Sequence, residues 1–490
     1  MVIAGNEGHA AGPRDIVLHR MDGKVVHITD QFSGYLALRY PMMLFPFADP
    51  NWMPGVPSTS GRRQNITQAE WYAGMLFERD NRFSPWHHAG PLFQEFTIDP
   101  FMCMNQPRLE YFRNHQTEIK AQLYQNVKKS IGDNTDASGT RIILPSSYIG
   151  SPRSMIQLYQ DSMAIVGCFG RPSLFITMTA SPAWREIKEN LYRGQVSSDR
   201  PNLGVRDFNQ KLKSLMSDLL EHDLLGKVAA HVLTVEFQKR GLPHAHIMST
   251  MEPGSVLSTP EKIDAIVTAE VPDPVAEPVL HARVSNHMMH SLCNASTGCW
   301  EDGKCSKNFP KPYQDNTVLG DDSYPLYRRR PGGHTVTKSG RQLDNAWVIP
   351  YNKTLLLKYN CHINVEVPYG ITATKYLFKY ITKGGDRSEM KLTENDEIRK
   401  YINGRYLGPC EENRENSWTI YTVEYTAGAL LTGRNRDLHG AMSNPGGRRV
   451  FWVIRGCPTP PTCKYPHRDN HEQPLGNSHQ PVSVNVTGRW

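Results

Sequence analysis

The most constraining stretch of this 490-residue chain is HVLTVEFQKRGLPHAHIM, residues 231–248. Runs rich in β-branched and aromatic residues flank a Gly241-Leu242-Pro243 turn, so the segment reads as a strand, a tight connection and a second strand. Successive side chains of a strand alternate between faces. His244 and His246 therefore project from one side, while Ala245 and Ile247 face a core. Glu236 and Gln238 lie on the first strand, and facing positions in a hairpin have a constant index sum. A loop of odd length gathers Glu236, Gln238, His244 and His246 on one face, whereas an even loop turns the first two away. Two imidazoles and one carboxylate leave coordination positions open for a substrate oxygen, which suits Mg²⁺ or Mn²⁺ and also accepts Zn²⁺. Glu236 is favoured as third ligand because its charge offsets that of the ion, with Gln238 as the alternative. The bland alternative is a pair of partly exposed strand histidines.

The surrounding pattern is α+β. LFITMT at 174–179 is a β-rich run that stops at Ser181-Pro182, an N-cap residue followed by a proline suited to a first helical turn, with AWREIKENLY continuing as helix. Residues 204–226 place Phe208, Leu212, Leu215, Leu219 and Leu220 on one helical stripe, giving the order strand, helix, helix, strand. Upstream, IVLHRMDGKVVHI reads as two strands around Asp22-Gly23, and YLALRYPMMLFPF is too proline-rich for a helix. Residues 106–131 and 152–168 read as helices, the latter with Ile156, Tyr159, Met163 and Val166 on one face. Downstream, HINVEV (362–367) reads as a strand and ITATKYLFKYITK (371–383) as a helix.

These signals divide the chain into a flexible start (1–14), an N-terminal domain (15–150), a second domain (151–408) with a Cys- and Arg-rich insertion (283–345), and a tail (409–490). The tail is rich in Gly, Pro, Asn and His and is expected to be largely disordered. No run of about 18 apolar residues occurs, and the first 30 residues lack the apolar centre of a secretory signal, so neither membrane insertion nor secretion is expected. Fifty-five Lys and Arg against 48 Asp and Glu give a net +7, compatible with a nucleic-acid partner but too small to establish one. Nine scattered cysteines without an export signal suit a reducing compartment, where close cysteines are more often metal ligands than disulfides.

Three further clusters carry chemistry. In KYLFKYITK (375–383), Tyr376 and Tyr380 are four apart on a helix and hence neighbours, roughly 5–6 Å between Cβ atoms. Lys375, Lys379 and Lys383 share that spacing. A phenol titrates at about pH 10 and becomes a nucleophile only where a nearby cation favours its phenolate, which these lysines supply. The alternative is an amphipathic helix with Leu377, Phe378 and Ile381 in a core. His290, Cys293, Cys299 and Cys305 form a candidate structural zinc site, with His287 competing for the His290 place and free thiols as the alternative. Arg328, Arg329 and Arg330 beside Tyr324 and Tyr327 mix cationic and aromatic surface, as single-strand binding requires, or form a solvated basic turn.

In combination, a metal-binding HxH strand and a Tyr/Lys helix over a hundred residues later resemble the replication-initiator (Rep) region of Helitron transposases. These are two-tyrosine members of the HUH endonucleases, and the region is known as the Helitron helicase-like N-terminal domain. The resemblance is carried by LFITMTASPAWREI, EFQKRGLPHAHI, HMMHSLC, DGKCSKNFPKPY, YPLYRRR, CHINVEV and KYLFKYITKGGDR, and it runs from about residue 14 to about 408. It implies an HUH-type antiparallel sheet with the HxH at its centre and the tyrosine helix beside it. It also implies a metal-dependent enzyme that nicks and joins single-stranded DNA through a 5′-phosphotyrosine, as in rolling-circle transposition. By that resemblance Tyr376 or Tyr380 is the nucleophile, Lys379 and Lys383 assist, His244, His246 and Glu236 hold the ion, and Lys375 touches DNA. Nuclear residence is implied in the same way. The family has Asn where Ser181 stands, and often His where Gly385 stands. No GxxxxGK[ST] phosphate loop occurs, so this chain is expected neither to hydrolyse ATP nor to unwind DNA, any helicase being supplied in trans. The pattern is compatible with a truncated copy of a mobile element, and a catalytically inactive DNA-binding remnant or an unrelated metal phosphoesterase are the competing functions.

Overall fold

A computed structural model describes residues 15–120, 142–369, 397, 398 and 401 with strands at 423–425, 449–454 and 484–486. Within those ranges residues 31, 42, 48, 59–63, 78, 80–82, 149, 150, 238–241, 291, 292, 295, 296, 298, 321–323 and 339 are excepted. The N-terminal part opens with the antiparallel pair β1 (Ile16–His19) and β2 (Val25–Ile28), turned at Gly23, whose φ of 78° suits a residue without Cβ. Contrary to the expectation from its prolines, YLALR forms a short helix, Tyr35–Arg39, that ends before Pro41. A longer helix spans Pro91–Asn114, starting earlier than the pattern at 106–131 suggests because Pro100 and Pro107 lie inside it. Around these, Tyr35, Leu36, Tyr40, Phe45, Tyr72, Phe93 and Phe96 make one core, with Trp86 stacked on Phe96 at 4.9 Å. The Tyr40 hydroxyl donates to Asp99, which also pairs with Arg39.

The main body is a five-stranded antiparallel sheet whose strands follow the spatial order 363–366, 174–179, 243–251, 228–237, 449–454. Its members are β3 (Leu174–Thr179), β4 (Val228–Phe237), β5 (Pro243–Met251), β10 (Ile363–Glu366) and β12 (Arg449–Ile454). Alternation gives it two faces. On one, Ile176, Met178, Leu233, Val235, Ala245 and Ile247 are buried in the core that also holds Phe208, Leu212, Leu215 and Leu219 of the Pro201–Leu220 helix. Each fully buried aliphatic side chain there contributes about 1.5–3 kcal/mol. On the other face, Phe175, Ala230, Val232 and Met248 pack with Ile165 of the Pro152–Phe169 helix. That helix covers the apolar end of the face. The opposite end carries Thr177, Thr179, Glu236, His244 and His246.

Four small strands, β6 (Trp300–Glu301) with β7 (Lys304–Cys305) and β8 (Val336–Lys338) with β9 (Arg341–Leu343), form two hairpins between β5 and β10. The Lys353–Tyr359 helix precedes β10 and is tied to the Pro201–Leu220 helix by Asp218, which accepts from Lys358 at 2.7 Å and from the Tyr359 hydroxyl at 2.6 Å. The architecture is α+β. Two local expectations are corrected. Ser181-Pro182 is a turn rather than a helix start, and the helix there is only Arg185–Glu189, because Trp184 is buried with its indole donating to the Tyr359 and Asn360 carbonyls. The tail is not without packed structure: β12 adds to the sheet beside β4, and β11 (Val423–Tyr425) pairs with β13 (Val484–Val486). RVFWVI is a β-prone hexamer inside a Gly- and Pro-rich composition. Among the described residues no helix is long and apolar enough to cross a membrane.

One buried group makes stability depend on pH. Burial and the neighbouring Glu186 push the Asp207 carboxyl up to about 6, with Lys211 opposing, and Asp207 Oδ2 is buried with no hydrogen-bond partner among the described residues. The folded chain then holds this proton more tightly than the unfolded chain, whose Asp titrates at about 3.9. The contribution is present below that value and is lost as pH rises through about 6. Asp207→Asn is expected to melt higher than the parent at neutral pH and to converge with it at about pH 4. Circular-dichroism melts across this window check it, and an unchanging gap refutes it.

Candidate metal centre

The β4–β5 register decides which side chains meet. Glu236 faces His244 and Thr234 faces His246, an index sum of 480, and pairing continues to Phe237↔Pro243. The five residues 238–242 lie between, so of the two loop parities open to the sequence the odd one is realised, and Glu236 shares a face with both imidazoles. One donor atom from each of Glu236, His244 and His246 lies within 4.8 Å of the other two. The His246 Nε2 to Glu236 Oε1 distance is 3.2 Å, and the two rings meet edge to face with centroids 4.4 Å apart.

Strand β3 orients both rings. Thr179 Oγ1 lies 2.6 Å from His244 Nδ1 and Thr177 Oγ1 lies 3.1 Å from His246 Nδ1, directly across the strand pair in register. With Nδ1 turned to a threonine in each case, Nε2 is the nitrogen each ring offers to a cation. Phe175 stacks on the His246 ring at 5.4 Å and 9°. His244 is buried, while His246 and Glu236 are half-buried, so the donors form a shallow set with an apolar flank rather than a closed cage. Two neutral nitrogens and one carboxylate oxygen fit a divalent cation while leaving positions for substrate oxygens. The threonines were not singled out from sequence. The signal was available, because Thr177 and Thr179 are two apart on a strand, the same period as the HxH pair.

Tyr376, Tyr380, Lys375, Lys379, Lys383 and Gln238 lie outside the described residues. Their anchor points are described. Strand β10 pairs with β3, starting beside Thr179, whose N–H donates to the His362 carbonyl, and ending with Glu366 opposite Phe175, at the apolar end of the sheet, ahead of 370–396. The chain re-emerges at Glu397, whose carboxylate accepts from Leu144 N and from Arg153 at 2.6 Å.

The arginine triplet is used differently from the expectation. Arg329 is buried, donating to the Asn345 and Val348 carbonyls at 2.7 and 2.6 Å, and is therefore a bolt inside the insertion rather than a DNA contact. Arg330 makes a two-pronged pair with Glu270, and Arg328 pairs with Asp264 and Glu270. Tyr327 is buried too, its oxygen accepting from Val367 N. A run of charge and aromatics reads the same in sequence whether it lines a surface or a polar interior.

The His/Cys cluster does assemble. His290 Nε2 lies 3.0 Å from Cys293 Sγ and 3.5 Å from Cys305 Sγ, and Cys293 Sγ lies 3.2 Å from Cys299 Sγ. His287 is elsewhere, its Nε2 bonded to Asn360 Oδ1.

An antiparallel sheet bearing two histidines and a glutamate on its central strand pair, with helices on both faces, defines the class: an α+β protein with a surface-accessible donor cluster. The family model described as Helitron helicase-like domain at N-terminus matches residues 71–249, an interval that contains β3, β4, most of β5 and all three donors. The chain thus carries a Helitron helicase-like domain, which ties it to transposon-related function and to a transposase-related enzyme family. No curated protein matches it.

The threonine contacts are testable apart from catalysis. Thr179→Val keeps the shape of the side chain and removes the oxygen that sets the His244 ring, so Mn²⁺ affinity is expected to fall roughly tenfold, while His246→Ala nearly abolishes binding. Titration calorimetry measures both, and unchanged affinity in Thr179→Val would show that the hydroxyl does not orient the ring.

Proposed function

We propose that this protein nicks and joins single-stranded DNA at the Glu236, His244 and His246 centre, with Tyr376 or Tyr380 as nucleophile. The observation that carries the reading is the convergence of those three donors on the central strands within the Helitron helicase-like region. A divalent ion, Mg²⁺ or Mn²⁺, would be held by the two Nε2 atoms and the Glu236 carboxylate and would supply Lewis-acid polarisation of a phosphate oxygen. The phenol oxygen attacks phosphorus as the P–O3′ bond breaks. The phenol proton passes to water, with Lys379 and Lys383 favouring the phenolate, and the leaving 3′-oxygen takes a proton from water. The 5′-phosphotyrosine ester keeps the phosphodiester's energy, so a free 3′-hydroxyl can reverse the step and join strands without ATP. Two tyrosines allow two strand ends to be held at once, as rolling-circle transposition requires. The setting that goes with this reading is the nucleus, with a helicase supplied by another chain.

Incubation with single-stranded oligonucleotides and Mn²⁺ is expected to give a covalent adduct on denaturing gels. The adduct should vanish with EDTA or with Tyr376→Phe, Tyr380→Phe together, and fall about 100-fold or more with His246→Ala. Binding without adduct would mark an inactive remnant. Cleavage that survives loss of both tyrosines would mark a metal phosphoesterase.

A further inference from the structure

The four donors of the His290 cluster come from two separate pieces of chain. His290 and Cys293 follow the Pro278–His287 helix, while Cys299 immediately precedes the β6–β7 hairpin and Cys305 is its last residue. The hairpin's two-residue turn is Asp302-Gly303, with φ values of 50° and 77°, the paired positive values that tighten a hairpin and favour this dipeptide. Ser306 N donates to the Cys299 carbonyl at 2.7 Å, so the turn brings the two hairpin cysteines together. After Cys305 the chain turns back at Asn308 (φ 53°), whose N–H donates to the Cys305 carbonyl at 2.8 Å. The His290 ring is fixed as well, stacked on Phe309 at 4.2 Å with its own backbone N–H on the Trp347 carbonyl.

We propose that His290, Cys293, Cys299 and Cys305 hold one zinc ion as a closed structural site. A tetrahedral ion with Zn–S near 2.3 Å and Zn–N near 2.0 Å sets ligand atoms about 3.5–3.8 Å apart. The observed separations of 3.0, 3.2, 3.5 and 3.8 Å bracket that geometry. Three soft sulfurs and one imidazole select zinc over the harder ions that suit the Glu236 centre. Four protein ligands leave no coordination position for substrate, so the site pins rather than reacts. What it pins is the hairpin to the Met289↔Val348 bridge. Next along this segment, His287 bonds Asn360 and its carbonyl bonds His362 at the root of β10. This inference stands independently of the nicking chemistry.

Elemental analysis of the full chain purified without added metal is expected to find one zinc per chain that survives dialysis against EDTA. It should be lost in Cys299→Ser, Cys305→Ser together and kept in His246→Ala. Should the cysteine variant fail to fold, the parent still decides: with Co²⁺ in place of zinc, intense visible bands of tetrahedral sulfur-rich coordination and sulfur-to-cobalt charge transfer are expected. Zinc-free folded protein, a Cys293–Cys299 disulfide, zinc that follows His246 rather than the cysteines, or octahedral cobalt spectra would each overturn the proposal.

Discussion

The candidate metal centre depends on one register, Glu236 opposite His244 across β4 and β5. Side-chain period along a strand is two, so a slip of one residue would send Glu236 into the core face and bring Val235 beside the imidazoles. Burial enforces the register. Ile247 and Ala245 are fully enclosed, and Leu233 and Val235 are their cross-strand partners, so a slip would drag a carboxylate under the Pro201–Leu220 helix and push apolar groups out. The ligand geometry is thus set by the packing of residues that never touch a ligand. β3 extends the same logic, since the register that buries Ile176 and Met178 also lays Thr177 and Thr179 against the two histidine rings.

Division of labour along the sheet's second face follows from composition. Phe175, Val232 and Met248 call for a cover, which the Pro152–Phe169 helix provides through Ile165. Beyond them the face turns polar and needs water, a cation or a substrate rather than a helix. Thr234 Oγ1 is buried there with no hydrogen-bond partner among the described residues, at a cost of order 1–3 kcal/mol. A fold optimised for stability alone would place Val at that position, as it does at the next same-face residue, Val232.

What was legible in the sequence was whatever period and turn chemistry determine locally. LFITMT is β3 without adjustment, the helix expected at 152–168 is found at 152–169, and the HxH pair lands on the central strand. What was not legible required knowing what lies across space. Ser181-Pro182 resembles a helix start until Trp184 is seen anchored to the 359–360 carbonyls. Arg329 looks like surface charge until three carbonyls, at Ala269, Asn345 and Val348, are seen to close around it. RVFWVI was submerged in the composition of its flanks, though its six residues alone have strand character. Loop parity between β4 and β5 belongs to the same group, since only pairing could choose between odd and even.

The two donor clusters differ in the property that separates chemistry from support. The Glu236 set draws its members from one hairpin on a sheet whose register is fixed by the core, and it offers three donors of mixed hardness on a partly exposed face. The His290 set draws on a loop and a two-residue hairpin with little apolar burial of its own, and it offers four donors that enclose their centre. A hairpin of that size is marginal in water without an added cross-link. An ion closed by four ligands would be such a link, and softness would keep the two sites from competing: thiolates would draw the softer ion, leaving the imidazole–carboxylate face to a harder cation with coordination places to spare. The arrangement puts rigidity where the chain cannot supply it by packing and leaves an open face where packing already supplies it.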